Sequence, residues 1–197
     1  GRGFKSHCPL HNFLMIIWIA SYPKSGNTYL RSFLSTYYFS KEGKFNFELL
    51  LNIQQFPGMK FSEKKMDSKT EASKYWILSQ EKFFDKSKIN FLKTHNCFLP
   101  YEGNYFTNKD QTLGVIYIVR DPRNLITSLT HHYSLEYQEA LNNMLDKNKI
   151  LIEKTADNDH SNFTFLSSWS DHYKSWINNK IFATKVIKYE DLENNKY

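Results

Sequence analysis

Leu14-Met15-Ile16-Ile17-Trp18-Ile19-Ala20-Ser21-Tyr22-Pro23-Lys24-Ser25-Gly26-Asn27-Thr28-Tyr29 decides how the rest of the chain is read. The run Leu14–Ala20 has the length and β-branched content of a strand buried on both faces. Beyond it, Tyr29, Leu30, Phe33, Leu34, Tyr37 and Tyr38 recur at helical spacing and draw one apolar stripe. Between strand and helix lie a Lys, a Gly and several hydroxyls. A helix start there directs unpaired N–H groups, the positive helix end and one cation to a single point, which is an anion site. The GxxxxGK[ST] loop of nucleotide kinases is absent, because Lys24 precedes Gly26. Taken alone, the same string also suits an ordinary strand–helix turn with Lys24 in solvent.

Working outward, Ile89–Lys93, Leu113–Val119 and Phe182–Lys188 repeat the buried-strand pattern. Helical stripes separate them: Ala72, Tyr75, Trp76 and Phe83; then Leu125, Ile126, Leu129 and Tyr133, opened by Asp121 as N-cap and Pro122 in the first turn. Tyr137, Ala140, Leu141, Met144 and Leu145 form another stripe, and Leu166, Trp169, Tyr173, Trp176 and Ile177 a last one. Strands alternating with helices predict an α/β fold, a largely parallel central sheet flanked by helices, with a P-loop-like phosphate-binding strand-loop-helix at its start. Such sheets bind ligands at the carboxyl ends of their strands. The polar stretches Gly58–Lys69, Pro100–Gln111 and Lys154–Asn162 read as surface loops or mobile covers. Residues 1–12 read as an N-terminal extension or cloning remnant, and 13–197 as one domain.

Composition narrows the function classes. The 197 residues, 41% hydrophobic and 17% aromatic, supply a packed core and argue against disorder across the whole chain. The net charge of +6 is dispersed, with no basic helix and no block of like charges, so small anionic ligands are expected before nucleic acid. The run Phe13–Ala20 is far short of the ~20 apolar residues of a membrane span. Cys8 and Cys97 have neither zinc-site spacing nor a disulfide pattern, which suits a reducing, cytoplasmic setting.

Two further strand ends carry chemistry. Arg120 closes the third strand and Ser128 falls eight residues later, about two helical turns on, so both can face the strand-end crevice. The Arg fork suits phosphate oxygens and the Ser hydroxyl adds a donor, although Arg120 alone would equally suit an ion pair with Asp121. Phe91-Leu92-Lys93-Thr94-His95 ends another strand in a cation and an imidazole, a candidate general base. Any one of seven histidines is more often solvated or structural. His131 and His132, adjacent on a helix, diverge and make no metal pair; His160 reads as a loop residue and His172 as bordering a packed helix face.

In this order the motifs resemble the sulfotransferases that use 3′-phosphoadenosine 5′-phosphosulfate (PAPS), especially the cytosolic type and its bacterial relatives. Tyr22 to Tyr29 is similar to that family's 5′-phosphosulfate loop, Lys93-Thr94-His95 to its catalytic strand end, Tyr117 to Ser128 to its 3′-phosphate segment, and Val186 to Leu192 to its Tyr-Glu-Asp strand. The resemblance implies PAPS as sulfonate donor, PAP as product, no metal, and a small acceptor bearing a hydroxyl or amine. It implies that Lys24 meets the leaving phosphate oxygen, Lys93 holds a sulfonate oxygen and His95 takes the acceptor proton. Ser25, Gly26, Asn27 and Thr28 would wrap the 5′-phosphate, Tyr29 would stack on adenine where the family usually has Trp, Arg120 and Ser128 would hold the 3′-phosphate, and Tyr189 would line the nucleotide pocket. The chain ends at Tyr197, before the family's Arg-Lys-Gly segment, so a domain incomplete at that end is expected.

The leading expectation is therefore PAPS-dependent sulfonate transfer by in-line displacement. A non-catalytic nucleotide-binding relative or fragment is the alternative, and a P-loop-type kinase a more distant one. An apolar acceptor is expected, walled by Phe45–Phe56 with its Leu49, Leu50, Leu51 and Ile53 together with the loops Pro100–Gln111 and Lys154–Asn162, although those leucines would equally suit the core.

Overall fold

The computed structural model describes residues 14–153 and 155–194; Cys8 and the expected 1–12 extension lie outside the described residues. In chain order the elements are β1 (Met15–Ser21), α1 (Asn27–Phe39), β2 (Gln54–Gln55), α2 (Lys69–Phe83), β3 (Ile89–Thr94), β4 (Thr112–Val119), α3 (Pro122–Tyr133), α4 (Tyr137–Leu145), β5 (Ile150–Leu151), β6 (Thr164–Phe165), α5 (Trp169–Ile177), β7 (Ala183–Lys188) and α6 (Tyr189–Asn194). Short 3₁₀ turns occupy Phe47–Asn52 and Met59–Phe61.

Five strands form one parallel sheet in the order β2-β3-β1-β4-β7. The chain leaves β1 for β2 and β3 on one side, then crosses to β4 and β7 on the other, so strand order reverses about β1. Reversals of this kind open a crevice beyond the strand ends. The expected α/β class with a parallel sheet is the architecture observed, and β5–β6 is a separate antiparallel pair.

Alternation along β1 splits the core between the two sheet faces. Ile16, Trp18 and Ala20 join Leu92, Val115 and Tyr117 under Trp76 of α2 and Trp176 of α5, with Phe56, Phe106 and Phe163 filling between them. Ile19 and Ile118 face the other way, against Leu30 of α1 and Ile53. Trp18 is fully buried, and its indole N–H donates to Thr112 Oγ1 at 3.0 Å, which satisfies the ring's one polar atom. The predicted α3 start is present: Asp121 accepts from the Arg123 N–H at 2.9 Å, and Pro122 opens the helix.

Two of the polar stretches are packed rather than mobile covers. Phe106, in the Pro100–Gln111 stretch, is fully buried against Trp18, with ring centroids 4.8 Å apart. In the Lys154–Asn162 stretch, Asp159 accepts from the Met66 N–H at 3.0 Å and from both Ser161 donors. A buried carboxylate supplied with this many donors pins the loop instead of freeing it. No helix among the described residues is long and apolar enough to cross a membrane.

Because Trp18 fills the centre of the larger core, Trp18→Ala should cost about 3–5 kcal/mol of unfolding free energy. Urea denaturation monitored by circular dichroism reads this as a lowered midpoint at similar slope.

Candidate functional site

Parallel pairing brings the carboxyl ends of four strands to one edge of the sheet. Ala20 lies opposite Thr94, Ser21 opposite Ile118, and Val119 opposite Lys188, so the segments leaving β1, β3, β4 and β7 emerge side by side. There they enclose a cleft of about 550 Å³ lined by Pro23, Lys24, Gly26, Asn27, Thr28, Lys93, His95, Arg120, Ser128 and Tyr189. Gln55, His132, Tyr133, Leu151 and Glu153 complete its wall.

The loop after β1 is tightly turned. Lys24 (φ 66°) and Gly26 (φ 96°) both lie in the left-handed region, and the Ser25 N–H donates to the Tyr22 carbonyl at 3.3 Å. Glycine is needed at 26 for a second reason, since a Cβ there would overlap the Tyr189 ring. Arg120 donates from Nη1 to the Lys24 carbonyl at 3.1 Å, and its guanidinium stacks 4.5 Å from the Tyr189 ring centroid. Asp121 takes Arg123 instead, through Nε at 3.0 Å and Nη2 at 2.5 Å, so Arg120 is left to the cleft.

An anion fits this loop on four observations. Helix α1 starts without a side-chain cap and with no acidic residue in its first turn. Ser25 Oγ and Arg120 Nε are both buried without a hydrogen-bond partner. Lys24, Lys93 and Arg120 add charge to the same cleft. Orphaned donors beside a free helix N-terminus are satisfied by phosphate oxygens.

Asn27 is committed elsewhere. Its Nδ2 donates to the Ile19 carbonyl at 3.0 Å and to Ser21 Oγ at 3.1 Å, clasping the start of α1 to the end of β1. Its Oδ1 is the atom left over. Tyr29, at 45% exposed, lies on α1 outside the cleft lining.

Across the cleft, His95 Nδ1 lies 2.7 Å from the Ser21 carbonyl oxygen. A carbonyl only accepts, so Nδ1 carries the ring proton and Nε2 keeps the lone pair. Burial, followed by the Lys93 charge, pushes the imidazole down to about 3, which keeps it neutral. Lys93 donates to Gln55 Oε1 at 2.8 Å; burial and then the Arg31 charge lower its ammonium to about 8, while Glu153 acts in the opposite sense. Arg31 is itself tied to the carbonyls of Leu50 and Ile53 at 3.1 and 2.6 Å.

Sequence reasoning missed Gln55, Tyr133, Leu151 and Glu153, and it read His132 only as a failed metal ligand. The signal for Gln55 is its register opposite Lys93 on a strand of only two residues, too short for periodicity to reveal. From the expected acceptor wall Phe45–Phe56, Gln55 reaches the cleft, whereas Phe47 and Leu51 are 80% and 68% exposed. Among the described residues no group of three or more His, Cys, Asp or Glu side chains forms a candidate metal centre.

Fold and cleft together define a parallel α/β protein with a cationic, phosphate-compatible site at its strand ends. The sulfotransferase domain family matches residues 15–196, and the chain belongs to that family. A curated relative, an amine sulfotransferase of Oryctolagus cuniculus, is 24% identical over 179 residues, covering 90% of this chain and 50% of its own length. Two solved structures share the fold at 17% identity, each matched over 92% of this chain and 56% of the other. One is a retinol dehydratase with retinol and PAP (TM-score 0.53). The other is retinol dehydratase with androsterone and inactive cofactor PAP (TM-score 0.50). The chain spans about half the length of the curated relative it matches.

Burial holds both His95 and His172 neutral, at about 3 and about 4 against 6.5 unfolded. Below pH 6.5 the unfolded chain binds protons that the folded chain refuses, so this stabilisation is present above pH 6.5 and is lost as pH falls toward 4. Unfolding free energy should drop by up to about 2.7 kcal/mol per pH unit across the lower part of that window. His95→Gln should remove about half of that slope in urea titrations at stepped pH.

Proposed function

We propose that this chain carries the donor site of a PAPS-dependent sulfotransferase that moves a sulfonate group to a hydroxyl or amine acceptor. The observation that carries the reading is the convergence of Lys24, Lys93, His95, Arg120 and Ser128 on one cleft from three separate segments. When bound, the donor supplies a sulfonate attached through oxygen to a phosphate leaving group.

Lys24, at the turn into α1, meets the bridging oxygen, where negative charge grows as the sulfur–oxygen bond breaks. Backbone donors of Ser25, Gly26, Asn27 and Thr28 and the free hydroxyl of Ser25 surround the 5′-phosphate. Arg120 and Ser128 hold the 3′-phosphate, and Tyr189, already stacked on Arg120, borders the base, with Tyr29 beside it. Lys93, steadied by Gln55, holds a sulfonate oxygen. The acceptor's oxygen or nitrogen forms the new bond to sulfur in line with the departing phosphate oxygen, which keeps the bonding pair. The acceptor's proton passes to Nε2 of His95, the ring atom left with a lone pair. A weakly basic imidazole suits this role once an anionic donor sits beside it, because the added negative charge raises its affinity for a proton.

Gln55, His132, Tyr133, Leu151 and Glu153 mark the acceptor end. This wall is more polar than the apolar one expected from sequence. Glu153 is the carboxylate among the described lining residues, and it favours acceptors that carry an amine. The name of the curated relative points the same way. A cytoplasmic setting belongs to the same proposal, supported by the free, buried Cys97 thiol.

With radiolabelled donor and a panel of phenols and amines, His95→Ala should abolish transfer yet leave PAP affinity within about twofold, whereas Arg120→Ala should weaken PAP binding about tenfold or more. Full turnover by His95→Ala would remove the base assignment. Glu153→Gln should raise KM for amines several-fold and leave neutral phenols unaffected; equal effects on both would remove the amine preference.

A further inference from the structure

Thr94 is the last residue of β3, so the main chain at His95 has left the sheet ladder. Its carbonyl oxygen lies instead 3.1 Å from Nε2 of His172, and the next carbonyl, that of Asn96, accepts from Nε1 of Trp176 at 2.9 Å. His172 and Trp176 are four residues apart on α5 and share one helix face, and both are fully buried. The second ring nitrogen of His172 lies 2.8 Å from the hydroxyl of Tyr117, on β4 and also buried.

The directions of these bonds follow from chemistry. The His95 carbonyl only accepts, so His172 carries its proton on Nε2, and Nδ1 receives the Tyr117 hydroxyl hydrogen. Phenol and carbonyl thus favour the same tautomer of His172, and the phenol holds its second nitrogen in place. Burial keeps the His172 ring neutral, as this arrangement requires. Tyr117, His172 and Trp176 are not among the residues that line the cleft.

We infer that Tyr117 and His172 are a buried positioning pair that fixes the backbone at His95, and with it the ring orientation set by the Nδ1 bond to the Ser21 carbonyl. The consequence for catalysis rests on the sulfotransferase reading; the positioning itself does not. Without the Tyr117 hydroxyl, the buried Nδ1 of His172 loses its donor and the ring is held by the His95 carbonyl alone. The ring's orientation then loosens, its bond to the His95 carbonyl weakens, and the segment at His95 shifts.

The test uses the full chain labelled with ¹⁵N-histidine and follows hydrogen exchange of the His95 Nδ1 proton, assigned by its loss in His95→Gln. Tyr117→Phe and His172→Leu should accelerate that exchange about tenfold. His172→Gln, whose amide retains a donor near the Nε2 position, should restore much of the protection. The indole proton of Trp18, bonded to Thr112 elsewhere in the same core, is the internal control and should not change. PAP affinity should stay within about twofold, and in transfer assays kcat should fall at an unchanged donor KM. Unaltered His95 exchange in Tyr117→Phe overturns the inference, as does equal acceleration at Trp18. If His172→Leu does not fold, Tyr117→Phe, which loses a single oxygen, decides the matter. A wild-type chain that transfers no sulfonate counts against the functional reading, and the exchange comparison then still decides the positioning pair.

Discussion

The parallel register of β3, β1 and β4 is the constraint on which the rest depends. Antiparallel pairing of any of these strands would send its terminal loop to the far edge of the sheet. Because Ala20 pairs with Thr94 and Ser21 with Ile118, residues some seventy to a hundred positions apart in sequence come to border one cleft. The sheet is held in that register from both faces, by Trp18 and its aromatic neighbours on one side and by Ile19, Leu30 and Ile118 on the other. Core packing therefore sets the relative positions of Lys24, His95 and Arg120.

Charge is managed unevenly across the site. Arg120 has found a carbonyl and an aromatic face, but its Nε is left without a partner. Lys93 has a neutral amide oxygen as its hydrogen-bond partner, and burial, followed by the field of Arg31, holds its ammonium down to about 8. Buried cations without matched anions are costly, and the matching charge is what a polyanionic nucleotide would bring. Burial, and after it the Lys93 charge, explain why His95 resists protonation in the free protein.

Much of this was legible in the sequence, and the parts that were not have physical causes. Four strands and the capped start at Asp121-Pro122 announced themselves through continuous apolar runs and turn chemistry. Lys24, Lys93, His95, Arg120 and Ser128 could be picked out because each follows a strand or faces its end. Gln55 and Glu153 could not, since they reach the cleft from a two-residue strand and an irregular segment. Asn27 was expected among the phosphate donors; its side-chain amide is instead committed to the Ile19 carbonyl and the Ser21 hydroxyl of β1, which leaves its backbone N–H for that role. The packing of Phe106 and Asp159 was hidden by the lysines and asparagines around them, which set the average polarity of their loops.

The central claim is that these strand ends grip a nucleotide by two phosphates at once. Titration calorimetry comparing adenosine 3′,5′-bisphosphate with adenosine 5′-monophosphate tests it most directly. The account predicts that removing the 3′-phosphate weakens binding about tenfold or more, as lost charge-assisted hydrogen bonds to Arg120 and Ser128 require. Equal affinities for the two nucleotides, or heats indistinguishable from dilution for both, would contradict it.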